Sequence, residues 1–217
     1  NEGNFPELAA GYRSTKLDND TDATMLSNAV YPVSNAVQDA MNVPMIGYEE
    51  CGDRLHSLLH YVNDVKGETY VTTYPRYWHG YLVVLKPLLL FFDFSDLRVF
   101  NMFFQFLLVA YAISLWSQGF RKHYFLAFLA LIVTWNPVTV ALSFQNSTCF
   151  HISIIALIYM IKHGKYLNES IYRMGIFFFV VGIITVYFDF LTYPLVTLGI
   201  PLAYWLMARE EWRKENG

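Results

Sequence analysis

Gly80-Tyr81-Leu82-Val83-Val84-Leu85-Lys86-Pro87-Leu88-Leu89-Leu90-Phe91-Phe92 is an apolar run of 13 residues, interrupted by one charge and one proline. Whether it crosses a bilayer decides the side on which every later loop lies. A spanning helix needs about 20 apolar residues for a hydrocarbon core of about 30 Å, so this run is too short. Pro87 also weakens a continuous helix, because it lacks a backbone N–H and crowds the preceding turn. The run reads as re-entrant or interfacial.

Charge counting gives the same answer. Five stretches downstream come near spanning length: residues 97–116, 124–144, 145–161, 171–188 and 191–207. Their connections hold Arg121 and Lys122, then Lys162, Lys165 and Arg173, then Arg209, Arg213 and Lys214. These eight basic residues fall on one side, and the opposite turns, near Asn146 and Asp189, hold none. Basic loops stay in the cytoplasm. If residues 80–92 crossed, all eight would face outward.

The expected fold class is therefore all-α, a polytopic transmembrane helical bundle with an exterior, mainly helical N-terminal segment lying on the membrane. Its parts are an exterior loop segment (1–77), a re-entrant or interfacial segment (78–96), five transmembrane helices (97–208) and a cytoplasmic tail (209–217).

Composition supports a membrane protein. Hydrophobic residues make up 55% of the 217 and charged residues only 15%, against a usual quarter. Eleven of the 18 acidic residues precede position 70, which separates a polar start from an apolar remainder. A net charge of -3 gives no case for nucleic acid as a partner. Cys51 and Cys149 form no framework. They are expected on the same side, so a disulfide stays open, with two unpaired thiols as the expectation. The chain begins at Asn1 with no signal-like segment, and reads as a piece of a longer protein.

Within the first 77 residues, Thr21 or Asp22 can cap a helix through Ala23, Leu26, Ala29 and Val30, which Pro32 interrupts. A second short helix is expected over 33–41, and a turn over 42–47. Leu55, Leu58, Leu59 and Val62 recur at helical spacing and predict an amphipathic helix over 49–65. Residues 69–73 read as extended. Asp93 to Asp96 carry the cap of the next helix.

The residues that can carry chemistry cluster in that polar start. Asp18, Asp20 and Asp22 alternate at a predicted helix N-terminus. They suit a general base or oxygen ligands for a divalent cation, although the glycine and glutamate of a calcium-binding loop are absent. The competing reading is a solvated helix start, where the helix dipole favours negative charge. Arg76, His79 and Lys86, with Arg98, form a cationic group beside Tyr74, Tyr77, Trp78 and Tyr81. Such a group can hold a phosphate, arginine by paired hydrogen bonds and lysine as a point charge. The competing readings are an aromatic belt, snorkelling to lipid headgroups, and pairing of Lys86 with Asp93 or Asp96. Asp189 either caps the last helix or points into an exterior cavity. Asn101, Gln105, Asn136, Gln145 and His151 read as helix–helix hydrogen-bonding groups.

Thr21-Asp22-Ala23, Tyr77-Trp78-His79-Gly80-Tyr81 and Phe188-Asp189-Phe190-Leu191-Thr192-Tyr193-Pro194, set in this architecture, resemble the GT-C class of membrane glycosyltransferases, and in particular bacterial polytopic proteins of that kind. The resemblance covers most of the chain and lies in architecture rather than in a diagnostic string. It implies a cell-envelope enzyme that moves a sugar from a polyprenyl-phosphate donor to a glycan or lipid acceptor at the exterior face. Asp22 matches the acidic residue of the first exterior loop that acts on the acceptor, with Asp20 next. Arg76, His79, Lys86, Tyr77, Trp78 and Asp189 would bind the substrates. A divalent cation, Mg2+ or Mn2+, is optional. Five spans are fewer than the class has. The alternatives are a transporter or flippase-like protein, in which polar residues line a path across the spans, and a non-catalytic membrane scaffold.

Overall fold

A computed structural model describes residues 5–119, 122–189 and 192–215. It is 70% helix and 6% strand, and it divides into two compact units, Asn1–Leu97 and Arg98–Gly217.

The first unit is built around α1 (Asn19–Val30). Its cap is Asp18, one turn earlier than the sequence reading placed it. The Asp18 carboxylate accepts from the Thr21 N–H at 2.9 Å and from the Thr21 hydroxyl at 2.8 Å. Capping by Asp18 satisfies an orphan N–H of the first turn, and it draws Asp20 and Asp22 inside the helix. α2 (Ala36–Asn42) ends at Val43, whose φ of 45° turns the chain into β1 (Pro44–Tyr48). α3 (Arg54–Val62) is capped by Asp53 and is shorter than the predicted 49–65. β2 (Thr69–Thr73) is extended as expected, but its partner is β1, antiparallel, with Ile46 opposite Val71. Residues 42–47 are thus largely strand and not a turn. Tyr70 lies across Gly47, where a Cβ would collide with its ring. α4 (Leu82–Leu88) is a single short helix of seven residues, about 10 Å long, which is too short to cross a bilayer. Asp93 accepts from the Asp96 N–H at 2.8 Å and so caps the next helix.

The second unit is helical throughout its described residues. α5 (Phe94–Gly119) begins at the end of the first unit and is followed by α6 (Lys122–Thr134), α7 (Pro137–Leu142), α8 (Phe144–Asn168), α9 (Ile171–Phe188) and α10 (Pro194–Glu215). Among the described residues, Phe94–Ser117, Phe144–Asn168 and Ile171–Phe188 are long and apolar enough to cross a membrane. Three readings change. The expected span over 124–144 is broken at Asn136, whose φ of 51° and following proline divide it into α6 and α7. The span over 145–161 runs a further two turns, to Asn168. The last helix starts at Pro194 and includes Pro201. Arg121, Phe190 and Leu191 lie outside the described residues.

α8 is the centre of this unit. Phe150, Ile154, Leu157 and Met160, at helical spacing, are fully buried. Trp116 of α5 stacks on Phe128 of α6 at 4.6 Å and meets Tyr204 of α10 edge-on at 5.0 Å. Gly164 leaves the space that the Trp212 ring fills. The outward faces carry Phe103, Leu107, Ile176, Phe179 and Ile183, all exposed, as expected where hydrocarbon and not water is the solvent.

The break between α6 and α7 is answered from α5. Asn101 donates to the Ala141 carbonyl and Gln105 to the Pro137 carbonyl, each at 2.6 Å. These are the helix–helix hydrogen bonds expected of polar residues in spans. Gln105→Leu leaves the Pro137 carbonyl without that donor, and is expected to cost about 1 kcal/mol, read from equilibrium unfolding in detergent micelles. An unchanged midpoint would rule out the Gln105 bond.

Candidate functional site

Helix α1 is unusual in what it buries. Asp22 is 1% exposed, and Thr24, Ser27 and Asn28 are also buried. Core helices normally bury apolar side chains, and local departures of this kind concentrate at functional or specifying sites. Asp20, Thr24 and Ser27 recur at i, i+4 and i+7, so they share one face of α1. Asp22 lies about 200° around the axis from Asp20.

The Asp20 face leads to a polar cleft. Arg54 donates to the Thr24 hydroxyl at 2.8 Å, and its guanidinium lies 5.4 Å from the Tyr74 ring centre. Arg54, Ser27, Cys51, Ser57, Tyr70 and Thr72 line a cavity of about 240 Å3. Its wall therefore carries a cation, the Asp53 carboxylate, several hydroxyls and an aromatic ring. Arg54 is a cleft residue that the sequence reading missed. The available signal was its isolation, since it is the one cation between Lys16 and Lys66. Ser57, Tyr70 and Thr72 carried no such signal, because α3 and the β1–β2 pairing bring them to the cleft. Cys51 and Cys149 are both free thiols.

The Tyr74 to Tyr81 loop joins α1 through a buried hydrogen-bond chain. Asn28 donates from Nδ2 to the Val43 and Pro44 carbonyls at 3.2 and 3.4 Å, which leaves its Oδ1 to accept from the Tyr81 hydroxyl at 3.2 Å. His79 Nδ1 lies 3.0 Å from the Tyr81 hydroxyl and its Nε2 lies 2.7 Å from the Tyr74 carbonyl. A carbonyl only accepts, so Nε2 carries a proton. Tyr81 has one proton to give. If Asn28 takes it, Nδ1 must also donate and the ring is an imidazolium. If the ring is neutral, Nδ1 and Asn28 compete for that proton.

Burial favours the neutral ring and pulls the His79 pKa below the usual imidazole value, and the bond to Tyr74 opposes this only in part. Burial likewise raises the Tyr81 pKa. His79 is 4% exposed with a φ of 51°, so its ring fixes the loop from inside.

The remaining candidates are more dispersed. Arg76 is exposed and sits over the Tyr77 ring at 5.4 Å. Trp78 is exposed. Lys86, on α4, acts on Asp39. Asp39 accepts from the backbone N–H groups of Asn35 and Ser34 at 2.9 and 2.7 Å. These bonds lead the lowering of its pKa below the ordinary carboxylate value, with Lys86 a smaller contributor.

The structure therefore brings α1, Arg54 and the Tyr74 to Tyr81 loop together in one unit. Asn28, the link to Tyr81, is six residues beyond Asp22, about 9 Å along the helix. Asp189 belongs to the second unit. It is 3% exposed and holds the turn after α9, accepting from the Thr192 N–H at 2.8 Å and the Thr192 hydroxyl at 3.3 Å. Gln145 of α8 donates to that same hydroxyl at 2.7 Å. Among the described residues no three His, Cys, Asp or Glu side chains converge as a metal site.

No protein-family model matches the chain, and neither a curated protein nor a solved structure is significantly similar to it.

A His whose folded pKa is lowered binds fewer protons than in the unfolded chain, so its neutral burial stabilises the fold above the unfolded value of about 6.5. That stability is lost as the pH falls from there toward the folded pKa. The wild-type melting temperature is expected to drop between about pH 7.5 and about pH 5.5. His79→Asn, which tolerates positive φ, is expected to flatten that slope. Parallel slopes in the two proteins would remove His79 as the source.

Proposed function

We propose that the protein is a membrane glycosyltransferase of GT-C type, transferring a sugar from a polyprenyl-phosphate donor to a glycan or lipid acceptor at the exterior membrane face. The observation that carries this reading is the polar cleft of about 240 Å3 with Arg54 in its wall. It lies in the polar unit of a chain with three helices long and apolar enough to cross a membrane, beside a helix bearing Asp20 and Asp22.

In this reading a carboxylate of α1 takes the proton of the acceptor hydroxyl, and the freed oxygen attacks the anomeric carbon. The bond from that carbon to the phosphate oxygen breaks, and the polyprenyl phosphate leaves with the electron pair. Asp20 is the better-placed base, because it is only half-buried and shares the Thr24–Ser27 face that borders the cleft. Asp22, which ranked first on sequence, supports α1 from within. Arg54, with Arg76 as a second exposed cation, stabilises the charge that develops on the leaving phosphate. Tyr77 and Trp78 offer aromatic surface to the sugar or the lipid. His79 acts by fixing the loop, since both of its nitrogens face internal partners. Lys86 and Asp189 have structural parts.

A second reading, a non-catalytic membrane scaffold, is favoured by the local hydrogen bonds that hold both His79 and Asp189.

The test uses the full-length protein in native membranes, with consumption of polyprenyl-phosphate sugar as the readout. Asp20→Asn is expected to lower turnover by about 100-fold or more, the range for loss of a general base. Arg54→Gln is expected to lower it comparably, and Arg76→Gln less. Wild-type turnover in folded Asp20→Asn, Asp22→Asn and Arg54→Gln variants would end the transferase reading.

A further inference from the structure

The second unit holds a groove of about 620 Å3 between α8 and α9, within the range of about 300–1,000 Å3 seen for small-molecule sites. Its walls are aliphatic and aromatic, with Ile155 and Tyr159 from α8 and Ile176 and Val180 from α9. All four side chains are exposed along it. On α8 the lining runs from Ile152 to Leu167, about 22 Å at 1.5 Å per residue. On α9 it runs from Arg173 to Ile184, about 16 Å. One leaflet of hydrocarbon is about 15 Å thick, so the groove has the length of one extended acyl chain.

One end is chemically distinct. Arg173 lies in the lining, with its guanidinium stacked 4.0 Å from the Tyr166 ring centre. Its Nη1 donates to the Tyr166 carbonyl at 3.1 Å and to Glu169 at 2.6 Å. These contacts fix the guanidinium plane. The Nε and Nη2 edge keeps its donors, with no partner among the described residues, and that edge is the fork that matches two oxygens of a phosphate. Lys165 stands on the last turn of α8 at the same end, and Lys162, one turn earlier, donates to the Tyr111 hydroxyl of α5 at 3.3 Å. Basic sites at helix ends select anionic headgroups.

We propose that this groove binds one anionic glycerophospholipid, with an acyl chain along α8 and α9 and the phosphate on the Nε–Nη2 edge of Arg173. The neutral α8–α9 walls supply affinity for any acyl chain, and the arginine supplies preference for the anionic lipid. The site is independent of the transferase reading, because the membrane itself supplies the ligand.

Native mass spectrometry of the full-length protein in detergent, with added phosphatidylglycerol or phosphatidylcholine of equal chain length, tests this. Wild type is expected to retain phosphatidylglycerol over phosphatidylcholine. Arg173→Gln is expected to weaken phosphatidylglycerol binding about ten-fold while leaving phosphatidylcholine unchanged, and Val180→Trp, which fills the groove, to weaken both. Ile176→Trp serves if Val180→Trp fails to give a monodisperse folded protein. Equal binding of the two lipids by wild type, or unchanged phosphatidylglycerol binding in Arg173→Gln and the tryptophan variant, overturns the proposal. So does a tryptophan variant that changes oligomeric state with lipid binding intact, since the groove would then be covered by a second copy of the chain.

Discussion

Backbone polar groups among hydrocarbon side chains have no water to bond, so a helix that breaks there must find partners within the protein. That constraint governs the second unit. The chain leaves α6 after 13 residues, turns through Asn136 in the left-handed region and starts again as α7. The break persists because α5 answers it with two side-chain amides, Asn101 and Gln105, spaced four residues apart and aimed at the carbonyls of Ala141 and Pro137. Polar side chains also meet between the described ends of α9 and α10. Asp189 accepts from Thr192, and Gln145 reaches the Thr192 hydroxyl from α8. Polar residues that a hydropathy plot treats as blemishes are the fasteners of this bundle.

The first unit has the opposite character. Its central helix buries an aspartate, a threonine, a serine and an asparagine, where apolar contacts would fold it at lower cost. The cost is offset by specific bonds. Thr24 accepts from Arg54, and Asn28 binds both β1 and Tyr81. Those bonds also assemble the cleft, because Arg54 is held against α1 by the same contact that places it in the cavity wall. Stability and site are thus built from one set of residues. The His79 chain adds a tension of its own. Its full set of hydrogen bonds calls for a charged ring, and its burial calls for a neutral one.

Much of the architecture was legible from local pattern. The helical character, the bounds of α9, the extended 69–73 segment and the Asp93 cap all follow from residues near one another in sequence. The shortness of the 80–92 run was legible from its length and Pro87. The cap of α1 was missed by one turn, because three alternating aspartates offer the same chemistry and only backbone geometry chooses Asp18. Residues 42–47 read as a turn since the partner of β1 is some 25 residues away, and strand pairing across that gap leaves little local trace. Arg54, Ser57, Tyr70 and Thr72 were invisible as a group for the same reason.

Composition and charge order by themselves determined that this is a mostly helical chain with a polar start and a remainder of membrane-length helices, because hydropathy and helical period are properties of consecutive residues. They also drew attention to Asp20, Asp22 and the Tyr74 to Tyr81 loop. Only the tertiary structure decided which way those groups face. Asp20 stays half-buried on the Thr24–Ser27 side of α1 and Asp22 is enclosed. His79 turns inward, because its left-handed backbone and the Tyr74 and Tyr81 oxygens hold it there. The cation of the cleft is Arg54, because the β1–β2 pair and α3 close around α1 from distant parts of the chain.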